Sequence, residues 1–275
     1  MKLIMVDDSE EKNPRRVGLG HLVGVGAVVF PEEGVVFYRD EIRRIRTRYG
    51  VPTETELKWS PDGDSWLKSP AGSAVRTQLR REMLQLAHYV GAVSVVIVWN
   101  RGDCEWSVED TRKEVLKYLY DKVSLCVRDL PGSSIGLVIA DEPGGGAKDH
   151  KAWLAGTLRL TEAGTVWTKP EQIALPIVMA PSHHVSHLQL ADLVAASTVA
   201  AVAGNPYALE LLPDLSMIAH RNNAGSVGGS GLTIWPKESD NLYHYLYGDT
   251  VRMQNGRGFL LPEPSWRYSV DDGLK

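Results

Sequence analysis

A chain of 275 residues has room for one large domain or two small ones, and its 43% hydrophobic content supports a substantial core, which argues against an intrinsically disordered protein. With 30 basic residues against 34 acidic ones the net charge is −4, so no general cationic surface announces a nucleic-acid binder and any such role needs local clusters. Cys104 and Cys126 are too few for a disulfide scaffold or a zinc site and read as free thiols of a reducing compartment. No segment reaches the roughly 18–20 apolar residues of a membrane span, and Asp7 and Asp8 cut the opening apolar run below the roughly 7–15 residues of a secretory core. The expectation is a cytoplasmic protein with no membrane partner; the oligomeric state is not legible.

In chain order, residues 2–6 and 22–30 are rich in aliphatic and β-branched types and predict strands. The PEEG at 31–34 reads as a turn into VVFYR, which predicts a third strand and an antiparallel N-terminal hairpin. From Asp40 to Tyr49 the spacing of Ile42, Ile45 and Tyr49 predicts a short helix with an arginine face. The polar stretch 50–73 reads as a functional loop. A helix is predicted over 74–89, with Leu79, Met83, Leu86 and Val90 inward and Arg76, Arg80 and Arg81 outward. The continuous run at 92–99 predicts a strand covered on both faces. A helix opens with Ser-x-x-Asp at 107–110 and carries Val115, Leu119, Val123 and Cys126 as its apolar stripe. A strand ending at Asp141 and Glu142, a helix over 149–160, a strand over 174–180 and a helix over 182–204 complete the alternation. This order calls for an α/β fold: a mixed sheet with helices on both faces, a core over 1–236, and residues 237–275 as a C-terminal appendage packed on it.

The chemistry-bearing residues are acids. Side chains at the carboxyl ends of parallel strands project into the crevice where ligands bind, and Asp7 and Asp141 sit at such ends. Strand-end aspartates are also ordinary turn formers. Asp192 lies in HLQLADLVA, an otherwise apolar helix, with Gln189 one turn before it on the same face. Glu56 comes from the polar loop, two residues before Lys58. Carboxylates repel one another unless a cation neutralises them, and an oxygen-only set without cysteine selects one or two Mg²⁺ or Mn²⁺ ions, as in phosphodiester cleavage.

The runs IMVDDSE, ELKW, LVIADE and LQLADLVA, in that order, resemble the bacterial family called domain of unknown function 3800, itself similar to the ribonuclease H-like superfamily of metal-dependent nucleases and integrases. In that family the first strand ends in Asp-Glu-Ser-Gly, to which Asp7, Asp8 and Ser9 correspond, while Glu10 departs from the glycine. The Glu-x-Lys element falls on Glu56 and Lys58, the strand-end acid on Asp141, and Gln-x-Ala-Asp on Gln189, Ala191 and Asp192; GLTIWP at 231–236 resembles the closing segment. The ribonuclease H-like pattern expects its second acid on the strand that here ends in Asn100, with Asp103 just beyond, whereas this chain offers one a strand later, at Asp141.

The resemblance implies a ribonuclease H-like core acting as a nuclease. Asp7, Glu56, Asp141 and Asp192 would hold the metal, Lys58 would neutralise the phosphate, and Asp8, Ser9, Glu142, Gln189 and His187 would support the ligands. The Glu10 and Asn100 departures leave open a module that binds nucleic acid or a protein partner without catalysis. His183 and His187 have zinc-compatible spacing but no third ligand, and read as cap and surface residues. Arg43, Arg44, Arg76 and Arg80 are the candidates for contact with a nucleic-acid backbone, although such runs are more often solvated helix faces, and Trp59 and Trp66 are candidates for base stacking. The glycines of EPGGGAKD lack phosphate-loop spacing.

Overall fold

The computed structural model describes residues 1–102, 105–142, 156–165, 167–254 and 257–275; Asp103, Cys104, the glycines at 144–146 and the expected start of a helix at 149 lie outside them. Among the described residues the strands β1 (Lys2–Glu11), β2 (Leu22–Phe30), β3 (Val93–Asn100), β4 (Gly136–Asp141), β5 (Val178–Ala180) and β6 (Leu232–Trp235) form one mixed sheet in the order β5-β4-β1-β2-β3-β6. The pairs β1–β4, β4–β5 and β3–β6 are parallel. All nine residues of β2 are buried, as an unbroken apolar run requires of a strand covered on both faces. Among the described residues no helix is long and apolar enough to cross a membrane.

The chain divides into two compact units: Met1–Asp7, Ala27–Val93 and Val123–Leu193 in the first, and Asp8–Gly26, Ser94–Lys122 and Val194–Lys275 in the second. Residues 237–275 thus fall in the same unit as 194–236.

In the first unit, α1 (Glu32–Tyr49) replaces the expected strand at 35–39, so no hairpin forms there. Pro31 adopts an extended conformation at the cap, Glu32 and Glu33 occupy the first turn, and Arg46 and Arg48 the last, in the sense that complements the helix dipole. Gly34, Tyr38, Ile42 and Ile45 recur at helical spacing and are buried, and that stripe outweighs the strand preference of Val35, Val36 and Phe37. Gly50, left-handed at φ 66°, closes the helix. α2 (Pro70–Tyr89) begins on Ser69, whose hydroxyl accepts from the Gly72 N–H, and α1 is tied to α2 where Arg48 and Tyr49 meet Glu82 at 2.8 and 2.5 Å. Lys2, buried at 3% exposure, donates to the carbonyls of Val127, Leu130 and Ser133 at the end of α3 (Val108–Asp129). The expected 174–180 strand is confined to β5, and the helix expected over 182–204 is a 3-10 turn at Ser182–His184 followed by α4 (Ser186–Val202).

In the second unit α3 begins on Ser107, whose hydroxyl accepts from the Asp110 N–H at 3.0 Å, as the Ser-x-x-Asp start anticipates. Trp99 and Trp235, paired across β3 and β6, stack at 5.8 Å, and Trp106 stacks on Trp99 at 5.4 Å. The C-terminal residues are knitted by polar side chains: Asn241, fully buried, binds the backbone of Glu263 and Arg267, and the Asp249 carboxylate accepts from the N–H groups of Val227 and Gly228.

Asn100 is 2% exposed, and its Oδ1 accepts from the N–H groups of Gly20 at 2.8 Å and Gly102 at 3.1 Å. The two backbones approach so closely that a Cβ on Gly20 would lie 2.4 Å from the Gly102 Cα. The residue that stands where an acid is expected therefore holds a glycine–glycine contact. Asn100→Ala leaves both N–H groups without their acceptor and is expected to cost about 1–3 kcal/mol, read as a lower urea midpoint at unchanged slope.

Candidate acidic site

The sheet register brings the first two acids together. Val6 pairs with Ala140 on the parallel strands β1 and β4, so Asp7 and Asp141 follow as neighbours in the next row, on the same face. Asp141 in turn pairs with Ala180 of β5. Two residues later the Ser182 N–H donates to Asp141 Oδ1 at 2.9 Å, and the Glu142 N–H donates to the same oxygen at 2.9 Å.

Ser182, 6% exposed, is a node that the sequence does not flag. Its hydroxyl donates to Glu56 Oε1 at 2.5 Å, and its carbonyl accepts from Gln189 Nε2 at 3.1 Å. Gln189 also donates to the His183 carbonyl at 3.3 Å and accepts from the Leu57 N–H at 3.3 Å. Three residues on, Asp192 Oδ2 accepts from the Trp59 N–H at 2.6 Å. Gln189 and Asp192 share one face of α4, and together they bind alternate backbone N–H groups of the strip Leu57–Trp59, which has no regular secondary structure.

Two arginines hold the carbonyls of that strip and of the residues before it. Arg80 donates to the carbonyls of Lys58 and Trp59, and its guanidinium lies 4.3 Å from the centroid of the Trp59 ring. Arg46 Nη2 gathers the carbonyls of Pro52, Thr53 and Thr55 at 2.7, 2.7 and 2.6 Å. Arg80 therefore corrects the expectation of an outward arginine: it is 8% exposed, because the main-chain carbonyls of an irregular loop need donors. Arg43 and Arg44 are exposed on α1 and pair with Asp40 and Glu41 of their own helix, and Arg76 reaches the Leu67 carbonyl at 3.5 Å.

Lys58 supplies the positive charge of the site, with Nζ 3.0 Å from Glu56 Oε2. Burial works against its charged form, yet Glu56, and beyond it Asp192 and Asp141, hold its pKa above the ordinary lysine value. The Asp192 carboxyl is pushed up to about 6 by burial, with Glu56 acting the same way and the Trp59 N–H, Lys58 and Arg80 opposing. An acid so placed is short of positive charge.

The remaining candidates lie elsewhere. His187 turns to α1: its Nε2 is 2.9 Å from the Val35 carbonyl, its ring packs on Phe30 and Tyr38, and burial lowers its pKa. Glu142 is exposed beside Asp141 and bonds it through its backbone alone. Asp8 and Ser9 belong to the second unit, where Arg112 sits 3.1 Å from Asp8 and 2.6 Å from Glu10, and Glu10 also meets His21 at 3.1 Å. Glu10, the departure from the family signature, thus has an electrostatic role within that unit.

Asp7, Glu56, Asp141 and Asp192 are an oxygen-only donor set of the kind hard cations take, and one cation is already seated among three of them: the Lys58 ammonium pairs with Glu56 and feels the charges of Asp192 and Asp141. The chemistry fits Mg²⁺ or Mn²⁺. Among the described residues, however, no three His, Cys, Asp or Glu side chains stand close enough to hold an ion as they are arranged.

Because the pKa of Asp192 is raised in the folded protein, folding binds its proton more tightly than the unfolded chain does. The corresponding stability is complete below about pH 4 and is lost as pH rises through 6. Asp192→Asn keeps an acceptor for the Trp59 N–H and removes the titration. In metal-free buffer it is expected to flatten the fall in melting temperature between pH 4.5 and 7.5, an effect on the order of 1–3 kcal/mol.

Neither the protein-family models nor the curated proteins compared with this chain give a match, so the functional reading rests on the residues and their geometry.

Proposed function

We propose that the first unit carries a site for divalent-cation-dependent hydrolysis of phosphodiesters in nucleic acid. The observation that carries this reading is the convergence of Glu56, Asp141 and Asp192, from three separate segments, on one lysine. Asp7 joins them through the register of β1 and β4.

In this reading Asp7, Glu56, Asp141 and Asp192 hold one or two Mg²⁺ or Mn²⁺ ions, which when bound supply charge neutralisation and an activated water. Hydrolysis adds water across one P–O bond: the water oxygen bonds phosphorus, the ester oxygen leaves, and a proton passes to that oxygen. The chain's own residues prepare this step. Ser182 and Gln189 fix Glu56 and the strip that bears it, the Trp59 N–H orients Asp192, and Lys58 offers an ammonium to a non-bridging phosphate oxygen. A ribonuclease H-like ancestry is part of this proposal, supported by the four short runs and their order.

A second reading has its own support. The Glu56–Lys58 ion pair already neutralises part of the acidic cluster, as suits a module that binds nucleic acid or a protein partner without catalysis. Labelled single-stranded, duplex and hybrid nucleic acids incubated with the full chain and Mn²⁺ separate the two. The first reading expects cleavage that Asp7→Asn and Asp192→Asn each reduce by about 100-fold or more. Absence of turnover on every substrate, or turnover that survives Asp7→Asn, overturns it in favour of the second. The first reading also expects a rise in melting temperature as Mn²⁺ is raised through the millimolar range, which the second does not.

A further inference from the structure

We propose that Lys58 is a tethered counter-ion that a divalent cation must displace, so that metal loading and release of the Lys58 ammonium are one exchange. This rests on the reading of the acids as a cation site.

The oxygen inventory leads there. Both oxygens of Glu56 are engaged, Oε1 by the Ser182 hydroxyl and Oε2 by Lys58 Nζ. The two partners are not equally held. Ser182 is buried, and its N–H and carbonyl are both committed, to Asp141 and Gln189. The Lys58 side chain is 31% exposed, on a flexible stem with water beside it. An ion that takes Glu56 as a ligand therefore removes Lys58 rather than Ser182.

Asp141 and Asp192 point the same way. The hydrogen bonds that fix them use Oδ1 of Asp141 and Oδ2 of Asp192, so among the described residues the other oxygen of each is uncommitted. Asp141 and Asp192 thus each keep an oxygen while their charges act on Lys58, and the third position, Glu56 Oε2, is filled by it. This accounts for a chemically suitable donor set with no ready-made cage among the described residues. Once displaced, the ammonium is free to meet a phosphate at the mouth of the same site.

The test is calorimetric titration of Mn²⁺ into the full chain, wild type against Lys58→Met, with melting curves in chelator and in Mn²⁺. Exchange predicts that Lys58→Met binds Mn²⁺ at least tenfold more tightly. It also predicts that the variant melts lower than wild type in chelator and recovers more in Mn²⁺. Lys58→Gln, with a shorter polar side chain, serves if the methionine variant does not fold, and the same tenfold gain is expected. Equal or weaker Mn²⁺ binding by the variants, with clear binding by wild type, overturns the exchange and leaves the cation site standing. Absence of Mn²⁺ binding in every protein overturns both.

Discussion

The hydrogen bonds from Leu57 and Trp59 to Gln189 and Asp192 are the constraint on which the acidic site depends. Glu56 and Lys58 stand on a strip with no sheet or helix of its own, and those bonds tie its N–H edge to α4. α4 tolerates two polar residues on an apolar face because each satisfies a main-chain donor that would otherwise be buried unpaired. Arg80 closes the opposite edge, so the strip is held through its carbonyls as well as its N–H groups. The arrangement is costly in one respect. The Asp192 carboxyl is desolvated close to Glu56, which is why it holds its proton unusually tightly.

The end of β1 shows how differently neighbouring acids can be treated. Asp7 lies in the row of Asp141 on the sheet, while Asp8 and Glu10, in the second unit, are met by Arg112, and Glu10 also by His21. Asp8 and Glu10 thus share the Arg112 guanidinium. In the first unit Glu56, Asp141 and Asp192 share the charge of a lysine about one-third exposed. Carboxyls perturbed in this way occur both at functional sites and in structural ion-pair networks.

Much of the scaffold is legible in the sequence because its signals are local. The unbroken runs of β2, β3 and β4 and the buried stripe of Val115, Leu119, Val123 and Cys126 on α3 appear where the pattern puts them. The start of α1 is misleading because Val35, Val36 and Phe37 favour a strand by type, while the burial of Gly34, Tyr38, Ile42 and Ile45 follows helical spacing. The acids themselves can be picked out, since a carboxylate at a strand end or in an apolar helix is conspicuous. Ser182, Arg46 and the inward turn of Arg80 cannot, because bonds to main-chain atoms of distant loops leave no periodic trace. Arg80 sits in a row with Arg76 and Arg81, and only the fold distinguishes the one that is buried.

Arg46 binds the main-chain oxygens of Pro52, Thr53 and Thr55 and none of their side chains, and the side chains of Thr53 and Glu54 are exposed. Such an anchor reads contour and ignores residue type. The exposed position 53 is therefore less constrained in type than the buried Thr55 or than Glu54, whose charge acts on Arg46, while a single insertion or deletion in the segment 52–55 would carry the oxygens out of register with the guanidinium. Its length, more than its lettering, is what inheritance must preserve.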